Sequence, residues 1–173
     1  MIHLLLWSFW ISFFGFGQLW SQSCDYAMTT MIVRGTSMNG LFASGDTIRV
    51  AEGFFNCNAI DRNDIVLVKW TGNEAPLLKR VVGLPGDQVR LEPNHGRSNL
   101  LIGGEILRTA DGTPYRFDQN ASRMLRVYID SYRGVIPKAA FIVLGNLPEG
   151  SKDSSHFGWV GRNMLIAKVI EEI

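Results

Sequence analysis

Residues 77–87 have the sequence LLKRVVGLPGD, in which two basic residues interrupt an apolar run that ends at a turn. Alternate side chains of a β-strand share a face, so Lys79 lies on the same face as Leu77 and Val81, and Arg80 lies on the other. One of the two basic side chains must therefore share its face with Leu and Val. The stretch predicts a strand with a basic group on an apolar face.

Other short apolar segments, separated by turns that contain Gly, Asn or Pro, extend this pattern along the chain. Strands are predicted at 29–33, 47–50, 65–70, 77–82, 88–91, 125–129, 140–144 and 165–170. No long helical periodicity is expected in the domain at 25–173. The predicted fold is therefore mainly β, an antiparallel sheet or barrel-like domain, with the more polar stretch 92–133 as a possible inserted flap.

The N-terminal stretch 1–24 contains no Lys, Arg, Asp or Glu and is rich in Leu, Ile, Phe and Trp. A helix over residues 2–20 rises about 1.5 Å per residue and roughly matches a hydrocarbon core of ~30 Å. The stretch predicts one transmembrane helix that anchors the chain in a lipid bilayer. The alternative is a cleaved signal peptide, because 21–23 is a small-x-small triplet.

Charge and cysteine content limit the partners and the compartment. The net charge of +1 gives no indication of a nucleic-acid partner. Cys24 and Cys57 are the only cysteines. Outside the cytosol they would be able to form a disulfide, and the alternative is two unrelated thiols.

A lysine buried on an apolar face would give the chain a candidate base. Burial disfavours the ammonium form and lowers the pKa of a lysine, whereas arginine keeps its proton. A neutral Lys79 would be able to take the proton of a serine hydroxyl, and Ser37 lies in a Gly-Thr-Ser-Met segment typical of a turn. The alternative for residues 77–82 is an edge strand with both basic side chains in water.

Histidine chemistry has less support. The three histidines are His3, His95 and His156. A Ser37–His156–Asp153 triad is conceivable, but an Asp three residues from a His is no specific signal. Scattered histidines also give no basis for a metal site, and no cofactor is predicted.

Read together, these segments resemble the type I signal peptidases and their relatives that process pilin in conjugative transfer. The matching segments are 35–38, 45–48, 64–68, 79–87 and 145–158. The most specific is 79–87, KRVVGLPGD, because few unrelated proteins carry the whole string. The resemblance covers essentially all of the chain after the predicted anchor.

The resemblance implies roles for individual residues. It makes Ser37 the nucleophile and Lys79 the general base, and it places Ser151 where a hydroxyl helps to orient the lysine amine. Asp153 matches the acidic residue of the last segment and is a supporting residue. The Ser37 N–H would serve the oxyanion hole, while Gly35 stands where some relatives add a serine hydroxyl.

Three departures separate this chain from the family pattern. Gly40 replaces a common proline, Asn146-Leu147 replaces Asp-Asn, and Ser155 replaces an arginine that would pair with Asp153. With the short length and single anchor, they favour the conjugative-transfer branch.

The resemblance implies a membrane-bound serine endopeptidase with its catalytic domain on the periplasmic side of the cytoplasmic membrane. Its substrate would be a membrane-inserted precursor, a preprotein or a pilin, cut after small side chains. For a pilin, the resemblance also implies ring closure by transpeptidation as a further outcome. One alternative is a housekeeping signal peptidase I. Another is a non-catalytic periplasmic β domain that binds an assembly partner.

Overall fold

A computed structural model of the chain describes residues 24–72 and 74–172. This described part consists mainly of β-strands, with one long α-helix and one short α-helix. The strands are β1 (Ala27–Ile32), β2 (Thr47–Glu52), β3 (Ile65–Val68), β4 (Leu77–Gly83), β5 (Val89–Asn94), β6 (Arg97–Ile102), β7 (Glu105–Ile106), β8 (Arg116–Phe117), β9 (Ala140–Leu144), β10 (Val160–Gly161) and β11 (Leu165–Glu172). The α-helices are α1 (Gln119–Ser131), between β8 and β9, and α2 (Ser154–Phe157), between β9 and β10.

Two antiparallel sheets organise the described residues. The larger has seven strands in the order β1-β2-β11-β3-β4-β9-β10, and the smaller pairs β5, β6 and β7 in that order with β8 also on β6. The sequence prediction of a mainly antiparallel β domain is confirmed. The smaller sheet and α1 lie between β4 and β9 in the chain, where the sequence predicts the flap 92–133.

The helix α1 corrects one prediction. Residues 125–129, predicted as a strand, lie inside this 13-residue helix, so the expectation of no long helical periodicity in the domain is wrong. The Asp118 side chain caps the helix by accepting a hydrogen bond from the Ala121 N–H. Ala121, Leu125 and Tyr128 pack on the same apolar cluster, and their spacing of three and four residues marks one helical face.

Strand β4 is an interior strand of the larger sheet. It pairs with β3 on one side, where Lys79 is opposite Val66, and with β9 on the other, where Val81 is opposite Val143. Val66, Val81 and Val143 are fully buried. The sheet therefore places Lys79 in an apolar environment.

The N-terminal end of the described chain is tied to the domain by a disulfide. Cys24 is bonded to Cys57, with 6.0 Å between the two Cα atoms, a normal separation for such a bond. Of the two alternatives open at the level of sequence, the structure has the disulfide. Within 24–72 and 74–172 no helix is long and apolar enough to cross a membrane, and residues 1–23 of the predicted anchor lie outside the described residues.

Candidate active site

The Lys79 side chain is buried almost completely. Only 1% of the residue is exposed, whereas Arg80, on the opposite face of β4, is partly exposed. The Arg80 guanidinium donates to the Arg108 carbonyl at 2.6 Å and so leaves the apolar face to the lysine. The alternative of a solvated edge strand with both basic groups in water is wrong for this chain.

Ser37 lies on a tight turn between β1 and β2. The Asn39 N–H donates to the Thr36 carbonyl, and the N–H groups of Leu41 and Phe42 both donate to the Met38 carbonyl. Met38 is 2% exposed and anchors this turn in the core. The turn leaves Ser37 partly exposed.

The serine and the lysine meet across 42 positions of sequence. Lys79 Nζ lies 2.8 Å from Ser37 Oγ and donates a hydrogen bond to it. Burial lowers the pKa of Lys79 from 10.5 to about 8, and the charge of Asp153 opposes part of that shift. A neutral amine at this distance is able to accept the hydroxyl proton instead, which is the geometry that general-base catalysis needs.

Asp153 organises the segment beside the pair. Its Oδ2 accepts from the Gly145 N–H, the Ser151 N–H and the Ser151 hydroxyl, while Oδ1 accepts from the Ser155 N–H and hydroxyl. The residue is fully buried. Ser155, which stands where the family pattern has arginine, thus satisfies this carboxylate with neutral donors in place of an ion pair.

The structure brings Ser151 to Asp153 and gives the lysine a different partner. Ser151 Oγ donates to Asp153 at 2.7 Å, and the Lys79 amine donates to Ser37. His156 is exposed and contacts Asp153 only through its backbone, so the described residues do not assemble the conceivable Ser37–His156–Asp153 triad.

Gly35 sits two residues before the serine in a left-handed conformation. Its φ is +82°, which L side chains rarely adopt, while a Cβ built on it meets nothing within 4 Å. Backbone conformation, not space, therefore favours glycine at this position. Gly35 therefore supplies no side-chain donor at the position where some relatives have a serine hydroxyl.

Two further residues, not assigned a role by the sequence, fix the backbone next to the serine. The Asn146 N–H donates to the Ser37 carbonyl at 2.7 Å, and the Tyr115 hydroxyl donates to the Gly145 carbonyl at 2.5 Å. Burial raises the pKa of the Tyr115 phenol, so it stays a donor. The only sequence signal for either was the departure of Asn146 from the family pattern.

A β-sheet domain that presents a serine hydroxyl against a buried amine has the groups of a serine hydrolase. The family model described as "Signal peptidase, peptidase S26" matches residues 8–172. This chain belongs to that family, which confirms the resemblance to the type I signal peptidases.

Two signal peptidases that match the chain by sequence agree with this assignment. Signal peptidase IB of Staphylococcus aureus (strain COL) is 25% identical over 156 residues, with 83% of this chain and 76% of the relative covered. Signal peptidase I of Bacillus caldolyticus is 27% identical over 147 residues, with 83% and 78% covered. A crystal structure of a signal peptidase I from Enterococcus faecalis V583 matches with a TM-score of 0.43 and 24% identity, covering 66% of this chain and 98% of that one.

Proposed function

We propose that the chain is a membrane-associated serine endopeptidase in which Ser37 is the nucleophile and Lys79 the general base. The contact that carries this proposal is the 2.8 Å distance between Lys79 Nζ and Ser37 Oγ, with the Lys79 residue only 1% exposed. The membership of the signal peptidase family supports a preprotein as the kind of substrate.

The chemical steps follow from the pair. Neutral Lys79 removes the Ser37 proton as Oγ attacks the scissile carbonyl, and the Ser37 N–H stabilises the resulting oxyanion. The protonated lysine then gives its proton to the leaving amine, which leaves an acyl-enzyme. Water, deprotonated by the same lysine, attacks the ester. The acyl–Oγ bond then breaks to release the new carboxyl end, and the lysine returns the proton to Ser37 Oγ.

Ser151 and Asp153 act as supporting groups in this proposal. The Asp153 charge lies close enough to affect the pKa of Lys79, and Ser151 holds that carboxylate through both its N–H and its hydroxyl. The influence of Ser151 on the lysine amine therefore passes through Asp153. In this proposal neither residue forms or breaks a covalent bond with the substrate.

The proposed location is the outer face of the cytoplasmic membrane, with residues 1–24 as a single-pass anchor. Two observations support it: the uncharged apolar sequence of that stretch, and the Cys24–Cys57 disulfide, which fits an oxidising compartment. Membrane association would place the active site next to precursors that are themselves inserted in the bilayer.

The finer choice of substrate lies between secreted preproteins and pilin. The curated relatives that match are signal peptidases, which favours hydrolytic cleavage of preproteins. Gly40, Asn146 and Ser155 depart from the family pattern and favour the conjugative-transfer branch, in which a substrate amine replaces water and closes a pilin ring.

Mass spectrometry of a candidate precursor co-expressed with the full-length chain tests both levels of this proposal. A cut linear product and a cyclic product differ by one water, so one spectrum separates hydrolysis from ring closure. An acylating inhibitor that labels Ser37, found by peptide mapping, would show a competent nucleophile and exclude the non-catalytic binding domain. An unchanged precursor together with an unlabelled Ser37 would contradict the proposed enzymatic activity.

Cleavage is expected to become faster as pH rises towards about 8 and then to level off. The base is the neutral amine, and since burial lowers the pKa of Lys79 to about 8, roughly a tenth of it is neutral at pH 7. We therefore expect kcat/KM to rise about tenfold per pH unit below that pKa. The measurement is kcat/KM from about pH 4 to pH 10 in detergent. A maximum on the acid side, below about pH 5, would contradict it.

A further inference from the structure

Asn146 makes three hydrogen bonds that join separate parts of the domain. Its N–H donates to the Ser37 carbonyl at 2.7 Å, its Nδ2 donates to the Asn39 carbonyl at 2.8 Å, and its Oδ1 accepts from the Ala110 N–H at 2.8 Å. The residue is 5% exposed. It thus touches the turn of the nucleophile on both sides of Met38 and also reaches the chain that follows the smaller sheet's strand β7.

Asn39 and Gly40 form the end of the turn that follows Met38, and neither of these two residues is buried in the core. A contact from another segment is therefore needed to hold this end of the turn in place. Asn39 and Gly40 are exposed, and Gly40 has φ +85°, a conformation that the proline common at this place in the family cannot adopt. A Cβ on Gly40 would lie 3.1 Å from Asn146 Nδ2. The amide of Asn146 therefore packs closely against the part of the turn that the sequence leaves least constrained.

Resting on the proposed function, we propose that the Asn146 side chain is a positioning residue. It holds the Asn39 carbonyl and so keeps Ser37 Oγ within reach of Lys79 Nζ, while its bond to Ala110 fixes the amide plane from the opposite side. The Asn146 side chain touches neither the Ser37 hydroxyl nor the lysine amine, and its effect on the reaction is geometric. Small displacements of a reacting atom are able to cost about 10²-fold in rate.

Two variants separate the bonds of this side chain. Asn146→Ala removes both side-chain bonds, whereas Asn146→Asp keeps an acceptor for the Ala110 N–H and places an oxygen against the Asn39 carbonyl. The backbone bond to Ser37 is present in both. Asn99→Ala is the matched control, because Asn99 is also buried, at 6% exposed, and its side chain bonds Asn94 in the smaller sheet.

The first readout is precursor cleavage by the full-length chain in detergent. We expect kcat to fall about 10- to 100-fold in both Asn146 variants, with KM within about threefold of the wild-type value. Asn99→Ala should keep its kcat within about twofold of wild type. A loss confined to Asn146→Ala, or an equal loss in the Asn99 control, would overturn the positioning role.

The second readout does not need activity. The N–H groups of Leu41 and Phe42 close the turn by bonding to Met38, and their hydrogen exchange should become about tenfold faster in both Asn146 variants than in the wild type and Asn99→Ala. Unchanged exchange overturns the inference even if kcat falls, and an unchanged kcat in both Asn146 variants overturns it as well. If the wild-type chain cleaves no precursor but exchange is still faster in the Asn146 variants than in the wild type, the proposed function is wrong. The inference that Asn146 holds the turn would then still stand.

Discussion

Ser37→Ala and Lys79→Met are each expected to lower kcat for precursor cleavage by at least about a thousandfold, the size of effect seen when a nucleophile or its base is removed. Alanine leaves no oxygen to attack the carbonyl, and methionine leaves no amine to accept its proton. The measurement is single-turnover cleavage of a detergent-solubilised precursor. Full activity in either variant would contradict the proposed pair.

Lys79→Arg should be as inactive as Lys79→Met. A guanidinium stays protonated at any pH at which the protein is folded, so it cannot act as a base although it keeps the positive charge. Exposed residues of the same types provide controls. Ser44→Ala and Lys69→Met change an exposed serine and an exposed lysine, and both should retain kcat within about twofold.

Thermal unfolding distinguishes loss of chemistry from loss of fold in Lys79→Met. Below about pH 8 the wild-type fold must hold a buried ammonium, which the unfolded chain holds in water at no cost. The pKa of Lys79 is lower in the folded chain than in the unfolded chain. The contribution of Lys79 to the free energy of unfolding therefore becomes more favourable to the fold as pH rises from about 8 to 10.5. At pH 7 the Met variant should therefore unfold at a temperature no lower than wild type. A clear drop would show that Lys79 stabilises the sheet.

Gly145→Ala is expected to lower kcat by about 10²-fold or more and to destabilise the fold by about 1–3 kcal/mol. The new Cβ would lie 2.6 Å from the Ser37 carbonyl oxygen and 2.5 Å from Ser151 Oγ. Both are closer than real Cβ atoms approach, and the Ser37 oxygen belongs to backbone that cannot rotate away. The turn must shift and carry Ser37 Oγ away from Lys79.

Gly161→Ala is the matched control for this substitution. Neither Gly145 nor Gly161 has a left-handed φ, so alanine fits the local backbone at both. At Gly161 the new Cβ would meet only the far end of the Asn163 side chain, at 2.8 Å, and Asn163 is exposed and able to turn aside. Assaying kcat and chemical unfolding of both variants separates the contact from the residue type. Equal losses in the two would refute the steric account.

The environment of Lys79 was predictable from a short stretch of sequence because strand alternation is local. Leu77–Gly83 needs no distant information to place lysine and arginine on opposite faces. Which of the two would be buried was not settled by that alternation. The choice depends on distant contacts such as the Arg108 carbonyl, which accepts a hydrogen bond from the Arg80 guanidinium.

The helix α1 shows where local patterns are ambiguous. Residues 125–129, LRVYI, are apolar, β-branched or aromatic at four of five places, which is typical of a strand. The decisive signal lies outside that window, in the Asp118 cap and in the position of Ala121 one turn before Leu125. A five-residue window was too short to reveal a period of 3.6.

The contacts of Asn146 depend on distant chain segments and were therefore beyond sequence reasoning. Its bond to Asn39 joins positions 107 residues apart, and its bond to Ala110 spans 36. An asparagine after glycine is common in turns, so the residue type gives no hint of burial. The family comparison marked the position as unusual without indicating what it contacts.

The covalent link between Cys24 and Cys57 has a topological consequence for the turn that carries Ser37. It closes a ring of chain that contains β1, the Ser37 turn and β2, with the two cysteines 33 positions apart. On a chain-entropy account, closing a ring of this size removes about 3–4 kcal/mol of conformational freedom from the unfolded chain. In a reducing compartment the newly made polypeptide lacks that ring. The segment that carries Ser37 therefore reaches its full stability against unfolding only where thiols are oxidised.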